Sequence, residues 1–144
     1  MSCSKTIFVT YCSGKKNHSV ELLPAIERYQ SDRIRNVVFS GEILKLDSYI
    51  LSGKFGLISY NELIPDYDLR LENKDLEKHS RKVELQLDKL NINQIIFFTR
   101  PVTEDKNVEP YLELMKRVCK NKRILLTIIN LPAKRIFFIF SNAF

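Results

Sequence analysis

Apolar runs and amphipathic stretches take turns along the 144 residues, and their spacing predicts strands alternating with helices. Residues 5–11 carry a β-prone run centred on Ile7, Phe8 and Val9 that breaks at Ser13-Gly14, as a buried strand does on entering a polar loop. Residues 22–29 start a helix, with Pro24 tolerated in its first turn. Ser31-Asp32 reads as a fresh N-cap, and Ile34, Val37, Val38, Ile43 and Leu44 give a second helical stripe that Gly41 weakens. Residues 48–52 are strand-like and run into Gly53 and Gly56, while residues 58–71, with Pro65 among them, have the irregular look of a surface segment. Residues 76–90 make the strongest helix, with Val83, Leu87 and Leu90 at i, i+4 and i+7. Residues 94–99 form another buried strand. Residues 109–120 form a helix with Leu112, Met115, Val118 and Cys119 on its apolar side, and residues 123–129 a fourth strand. The run Ile136-Phe137-Phe138-Ile139-Phe140 is β-prone by composition. Ile136, Phe137, Phe140, Ala143 and Phe144 also trace one helical face, and a terminal helix is preferred there.

The alternation predicts one α/β domain over residues 1–144, with a mostly parallel sheet of about four to five strands flanked by helices. Two strands end in Ser-Gly loops. In open α/β sheets ligands sit outside the carboxyl ends of the strands, so Cys12 and Lys54 are expected on one rim of the sheet.

Charge adds a direction. The chain carries a net +6, and residues 111–144 hold seven basic groups against one acidic. Lys116, Arg117, Lys120, Lys122 and Arg123 form a cluster that can meet phosphates, or can simply be a solvated helix end complementing the dipole. Three cysteines with no disulfide-type spacing, no signal-peptide pattern and no apolar stretch of about 18 residues point to a cytoplasmic protein with no membrane partner. No Cys/His cluster has ligand spacing, so neither a metal nor a cofactor is expected.

Two segments carry candidate chemistry. In Cys12-Ser13-Gly14-Lys15-Lys16 a glycine exposes backbone N–H groups beside two lysines, a combination suited to a phosphate, although the P-loop spacing is absent. Cys12 reads as a small residue packed at a strand end. A catalytic Cys–His pair would need His18 or His79. In residues 51–71, Ser52, Gly53, Lys54, Phe55 and Gly56 precede Asp66, Tyr67 and Asp68. Phe55 or Tyr67 can stack on a base, and Asp66 and Asp68 can accept from sugar hydroxyls or act as general acid and base. The plainer reading is a loop that anchors Phe55, Leu57 and Tyr67 to the core.

Leu51-Ser52-Gly53-Lys54-Phe55-Gly56-Leu57-Ile58, followed by Ile64-Pro65-Asp66-Tyr67-Asp68-Leu69-Arg70-Leu71, resembles the signature of the YaaA-type peroxide-stress proteins and their small relatives. The Cys12–Lys16 loop and Pro24-Ala25, Tyr29 and Ser31 stand at matching spacing, so the resemblance covers roughly residues 5–72. It implies an α/β fold, DNA binding through a positively charged cleft and protection from oxidative damage. The small relatives also resemble uracil-glycosylase-type enzymes in layout. The positions it carries over are Cys12, Ser13, Lys15, Lys16, Ser52, Lys54, Gly56, Pro65, Tyr67 and Asp68.

The favoured expectation is a protein that binds a nucleic acid or a nucleotide through its phosphate. The alternatives are an N-glycosidase, in which Lys15 and Lys16 hold phosphate, Tyr67 stacks on the base and Asp68 stabilises charge on the sugar, and a non-catalytic partner-binding protein.

Overall fold

The computed structural model describes residues 5–132, so the C-terminal helix expected after Pro132 lies outside the described residues. A five-stranded sheet of order β4-β3-β1-β6-β7 is built from β1 (Thr6–Tyr11), β3 (Ser48–Ser52), β4 (Gly56–Ser59), β6 (Gln94–Thr99) and β7 (Leu125–Asn130). β1 pairs in parallel with β3 and β6, and β6 with β7. Only β3 and β4 are antiparallel. The chain is thus α/β and mostly parallel, as its alternation predicts.

Helix α2 (Asp32–Leu44) covers one face, and α3 (Leu76–Asp88) and α4 (Glu109–Lys122) pack together on the other. β-Strand side chains alternate across the sheet. Ile7, Val9, Ile95 and Phe97 therefore meet Val83, Leu87, Leu114 and Met115, while Phe8 and Phe98 turn to Val37 and Leu131. Burying each such side chain stabilises the fold by about 1.5–3 kcal/mol.

Ser31 caps α2 as expected, its hydroxyl accepting from the Ile34 amide at 3.2 Å. Ile34, Val37 and Val38 are buried, but Ile43 and Leu44 at the end of the stripe are exposed. Two expectations need correcting. The helix over residues 22–29 contracts to a single turn, α1 (Ala25–Arg28), preceded by β2 (Leu23–Pro24), which pairs with β5 (Leu63–Ile64). The amides of Ala25 and Ile26 donate to Glu62 and Tyr60 carbonyls at 2.8 Å, so this segment is held as a ribbon edge. The stretch read as irregular surface instead contains the end of β4 and all of β5, and buries Ile64, Tyr67 and Leu71. Among the described residues no helix is long and apolar enough to cross a membrane.

The connections set the site. The chain leaves β1 through α2 to reach β3 on one side, then returns through α3 to place β6 on the other side of β1. That reversal opens a crevice at the carboxyl ends of β1 and β6, where doubly wound sheets bind ligands.

Candidate functional site

A cleft of about 610 Å³ occupies that crevice. The strand-end residues Tyr11 and Cys12, the loop Ser13, Gly14, Lys15 and Lys16, and residues Gln30 to Arg33 leading into α2 form one wall. Asp68, Leu69, Arg70, Arg100, Asp105, Asn107 and Tyr111 form the other. A smaller cleft of about 500 Å³ adjoins it, lined by Gly14, Lys16, His18, Asp66, Tyr67 and Asp68. Gly14, Lys16 and Asp68 stand at the divide, since they line both.

Five cations face the larger cleft against three carboxylates. Arg33 is the unusual one, at 4% exposed. Its guanidinium lies 3.6 Å from the Tyr11 ring centroid and donates to the Thr10 hydroxyl, to the Tyr11 carbonyl at 2.7 Å and to the Cys12 carbonyl at 3.4 Å. Its Nε has no partner, and among the described residues no carboxylate forms an ion pair with it. Burial pulls its pKa down to about 10, which leaves it charged at neutral pH.

The amides of Gly14, Lys15 and Lys16 donate to no acceptor among the described residues, although the loop is tied at Asn17 N to Arg28 O (2.8 Å) and Gln30 N to Lys15 O (3.0 Å). Ser13 closes the turn by donating to the Lys15 carbonyl at 2.7 Å. Gly14 adopts no left-handed conformation and a Cβ there would meet nothing, so the turn itself does not require glycine.

The Ser52–Gly56 loop lies on the same rim, as parallel pairing of β1 with β3 demands, and Cys12 N donates to Leu51 O at 3.0 Å. Yet Ser52, Gly53, Lys54, Phe55 and Gly56 line neither cleft. They brace it. The buried Ser52 hydroxyl accepts from the amides of Lys54 (3.1 Å) and Phe55 (3.0 Å) and shares a hydrogen bond with the Tyr67 hydroxyl at 2.9 Å. Gly53 passes so close to residues 69–71 that a Cβ would fall 2.7 Å from the Leu71 nitrogen. Gly56 sits at φ +76°, where a Cβ would strike the Gln86 amide that clamps Phe55 O and Leu57 N.

Tyr67 is packed as the plainer of its two sequence readings has it, anchored to the core. It is 8% exposed, hydrogen-bonded to Tyr29, edge-on to Tyr29 and Phe55, and covered by the Lys16 ammonium 4.7 Å from its centroid. Burial first, and the neighbouring Cys12 second, hold the hydroxyls of Tyr29, Tyr67 and Tyr111 above the ordinary phenol range. Cys12 itself is buried and its thiol donates to the Tyr111 hydroxyl at 3.4 Å. Neither histidine partners it. His79 donates to the Ser52 carbonyl at 2.7 Å, and His18 bonds Asp66 at 2.9 Å.

Asp68 is exposed and has no hydrogen-bond or ion-pair partner among the described residues. The C-terminal basic cluster lies elsewhere. Tyr111 is at the cleft, and a helix rise of about 1.5 Å per residue puts Lys122 roughly 16 Å along α4 from it. There Lys122 pairs with Asp88 at 2.5 Å.

Arg33, Arg70 and Arg100 are the cleft cations that the sequence reading missed. Arg100 follows strand 94–99 directly, so the rule that placed Cys12 and Lys54 on the rim also locates Arg100. Comparison of the chain with family models, with curated proteins and with solved structures finds no match.

Proposed function

We propose that the larger cleft binds a phosphate-bearing anion, a nucleotide or a nucleic acid. The observation that carries this reading is Arg33, a buried guanidinium on the cleft wall that forms no ion pair with a carboxylate among the described residues. A buried charge is costly unless compensated, and an anion in the cleft adds to the countercharge that Asp105 supplies. Lys15, Lys16, Arg70 and Arg100 on the same walls, and the unbonded amides of residues 14–16, support the same ligand chemistry. The YaaA-type resemblance points the same way.

The test is affinity for a single-stranded oligonucleotide against salt concentration. Replacing Lys15 and Lys16 together by Ala is expected to weaken binding and flatten the salt slope by about 0.7–0.9 per lost phosphate contact. An unchanged slope would remove the loop from the interface.

A second reading, N-glycosidic hydrolysis, is favoured by Asp68, a free carboxylate at the divide between the clefts. Base release from a panel of nucleotides and oligonucleotides, abolished by Asp68→Asn, is its expected signature. Binding without base release sinks it.

A further inference from the structure

The smaller cleft holds a pair that the phosphate-binding reading does not use. His18 Nδ1 lies 2.9 Å from Asp66 Oδ2, while the other Asp66 oxygen accepts from the Tyr67 amide at 3.0 Å. The carboxylate is therefore pinned by backbone on one side and fixes the imidazole on the other. Hydrogen bonding to His18 first, and His18 charge with the Tyr67 amide after it, hold Asp66 below the usual carboxylate range.

His18 is 74% exposed in its side chain, and an exposed pair of this kind is ordinarily floppy and of little energetic value. Here it is mounted on a buried arginine. Arg28, fully buried, donates from Nη1 to the carbonyls of Asn17 (2.6 Å) and Ser19 (3.0 Å), the two residues flanking His18. From Nη2 it donates to Glu21 O (2.6 Å) and to Ile64 O (3.2 Å), two residues before Asp66. The Asn17 side chain closes the same turn by accepting from the Ser19 amide at 2.9 Å. One guanidinium thus ties together the two segments that carry the pair. Lys16, held over Tyr67, shares the cleft with His18 and also lines the larger, cation-rich one.

We propose that His18 and Asp66 form an acid–base dyad that cleaves RNA by transesterification. This rests on the phosphate-binding reading, because the scissile phosphate is the one held at Gly14 and Lys16. Asp66 keeps the proton on His18 Nδ1, so Nε2 accepts the proton of the ribose 2′-hydroxyl. The O2′–P bond forms as the P–O5′ bond breaks, and the electron pair leaves on O5′, which takes up a proton from the imidazolium. The dyad returns to its starting state. Lys16 balances the charge gathering on the phosphoryl oxygens. The products are a 2′,3′-cyclic phosphate and a 5′-hydroxyl, and no external oxidant, reductant or second substrate is consumed.

The experiment uses the full chain and a fluorescent RNA oligonucleotide, with the same sequence in 2′-O-methyl form as control. Expected are cyclic-phosphate ends from RNA only, a rate lowered about 10²–10⁴-fold in His18→Ala, and RNA affinity unchanged within about twofold. His18→Gly should regain part of its rate from added imidazole, which a merely structural histidine would not allow. RNA that is bound but left intact overturns the dyad and spares the binding reading, and so does equal cleavage by wild type and His18→Ala. RNA that is not bound at all overturns both.

Discussion

Arg28→Met tests whether the candidate site is held in place from within. Arg28 makes four hydrogen bonds to the carbonyls of Asn17, Ser19, Glu21 and Ile64 while itself 0% exposed, and among the described residues no carboxylate forms an ion pair with it. Hydrogen bonds from a charged donor contribute about 1.5–3 kcal/mol each. That gross figure is not lost in full. The three loop carbonyls can turn to water once the guanidinium is gone, and the cost of burying its charge disappears with it. The buried Ile64 carbonyl has no such escape. A net loss of about 1–3 kcal/mol follows, the cost of leaving a buried acceptor without its donor. Against a total stability of about 5–15 kcal/mol the variant stays folded but weakened. Urea denaturation should show a lower midpoint at an unchanged m-value, and limited proteolysis should cut within residues 17–22. A midpoint shift worth less than about 1 kcal/mol, with the loop uncut, would refute the role given to Arg28.

Two further outcomes are expected. Gly56→Ala must place a Cβ at φ +76° and displace the Gln86 amide from both Phe55 O and Leu57 N, for a loss of about 2–5 kcal/mol in urea denaturation; a shift under 0.5 kcal/mol would contradict it. His79 is 7% exposed, and burial lowers its pKa below the ordinary histidine value of about 6.5, so at neutral pH it is uncharged in the fold. The unfolded chain then binds a proton that the folded chain does not, and stability falls as pH drops below about 6.5 toward the depressed folded value. Thermal unfolding between pH 7 and 5 should show this slope in wild type and a shallower one in His79→Gln, and equal slopes would refute the assignment.

Strands 5–11 and 94–99 were legible because three or four consecutive apolar residues in a β-prone run are most readily buried together. Residues 58–71 were not, because β5 is two residues long and the buried Ile64, Tyr67 and Leu71 stand at a helical i, i+3, i+7 spacing on a segment that forms no helix. The same limit hid the site. Arg28 and Arg33 look like solvated positions when polarity alone is read, whereas long side chains can bury their guanidinium against backbone carbonyls. Lysines 15 and 16 could be assigned to a loop from their neighbours. That Lys54 would brace the cleft from behind depended on how residues 66–71 cross the rim, a long-range feature without a local signal. His18 and Asp66 are 48 positions apart, and the β2–β5 ribbon together with the Arg28 guanidinium brings them together.

The most direct measurement is an amide ¹H–¹⁵N correlation spectrum titrated with a short single-stranded oligonucleotide at constant ionic strength. The account predicts saturable shifts at Gly14, Lys15 and Lys16 and at the guanidinium signals of Arg33 and Arg100. Shifts confined to the basic end of α4, at Lys116, Arg117, Lys120 and Arg123, or a spectrum that does not change, would contradict it.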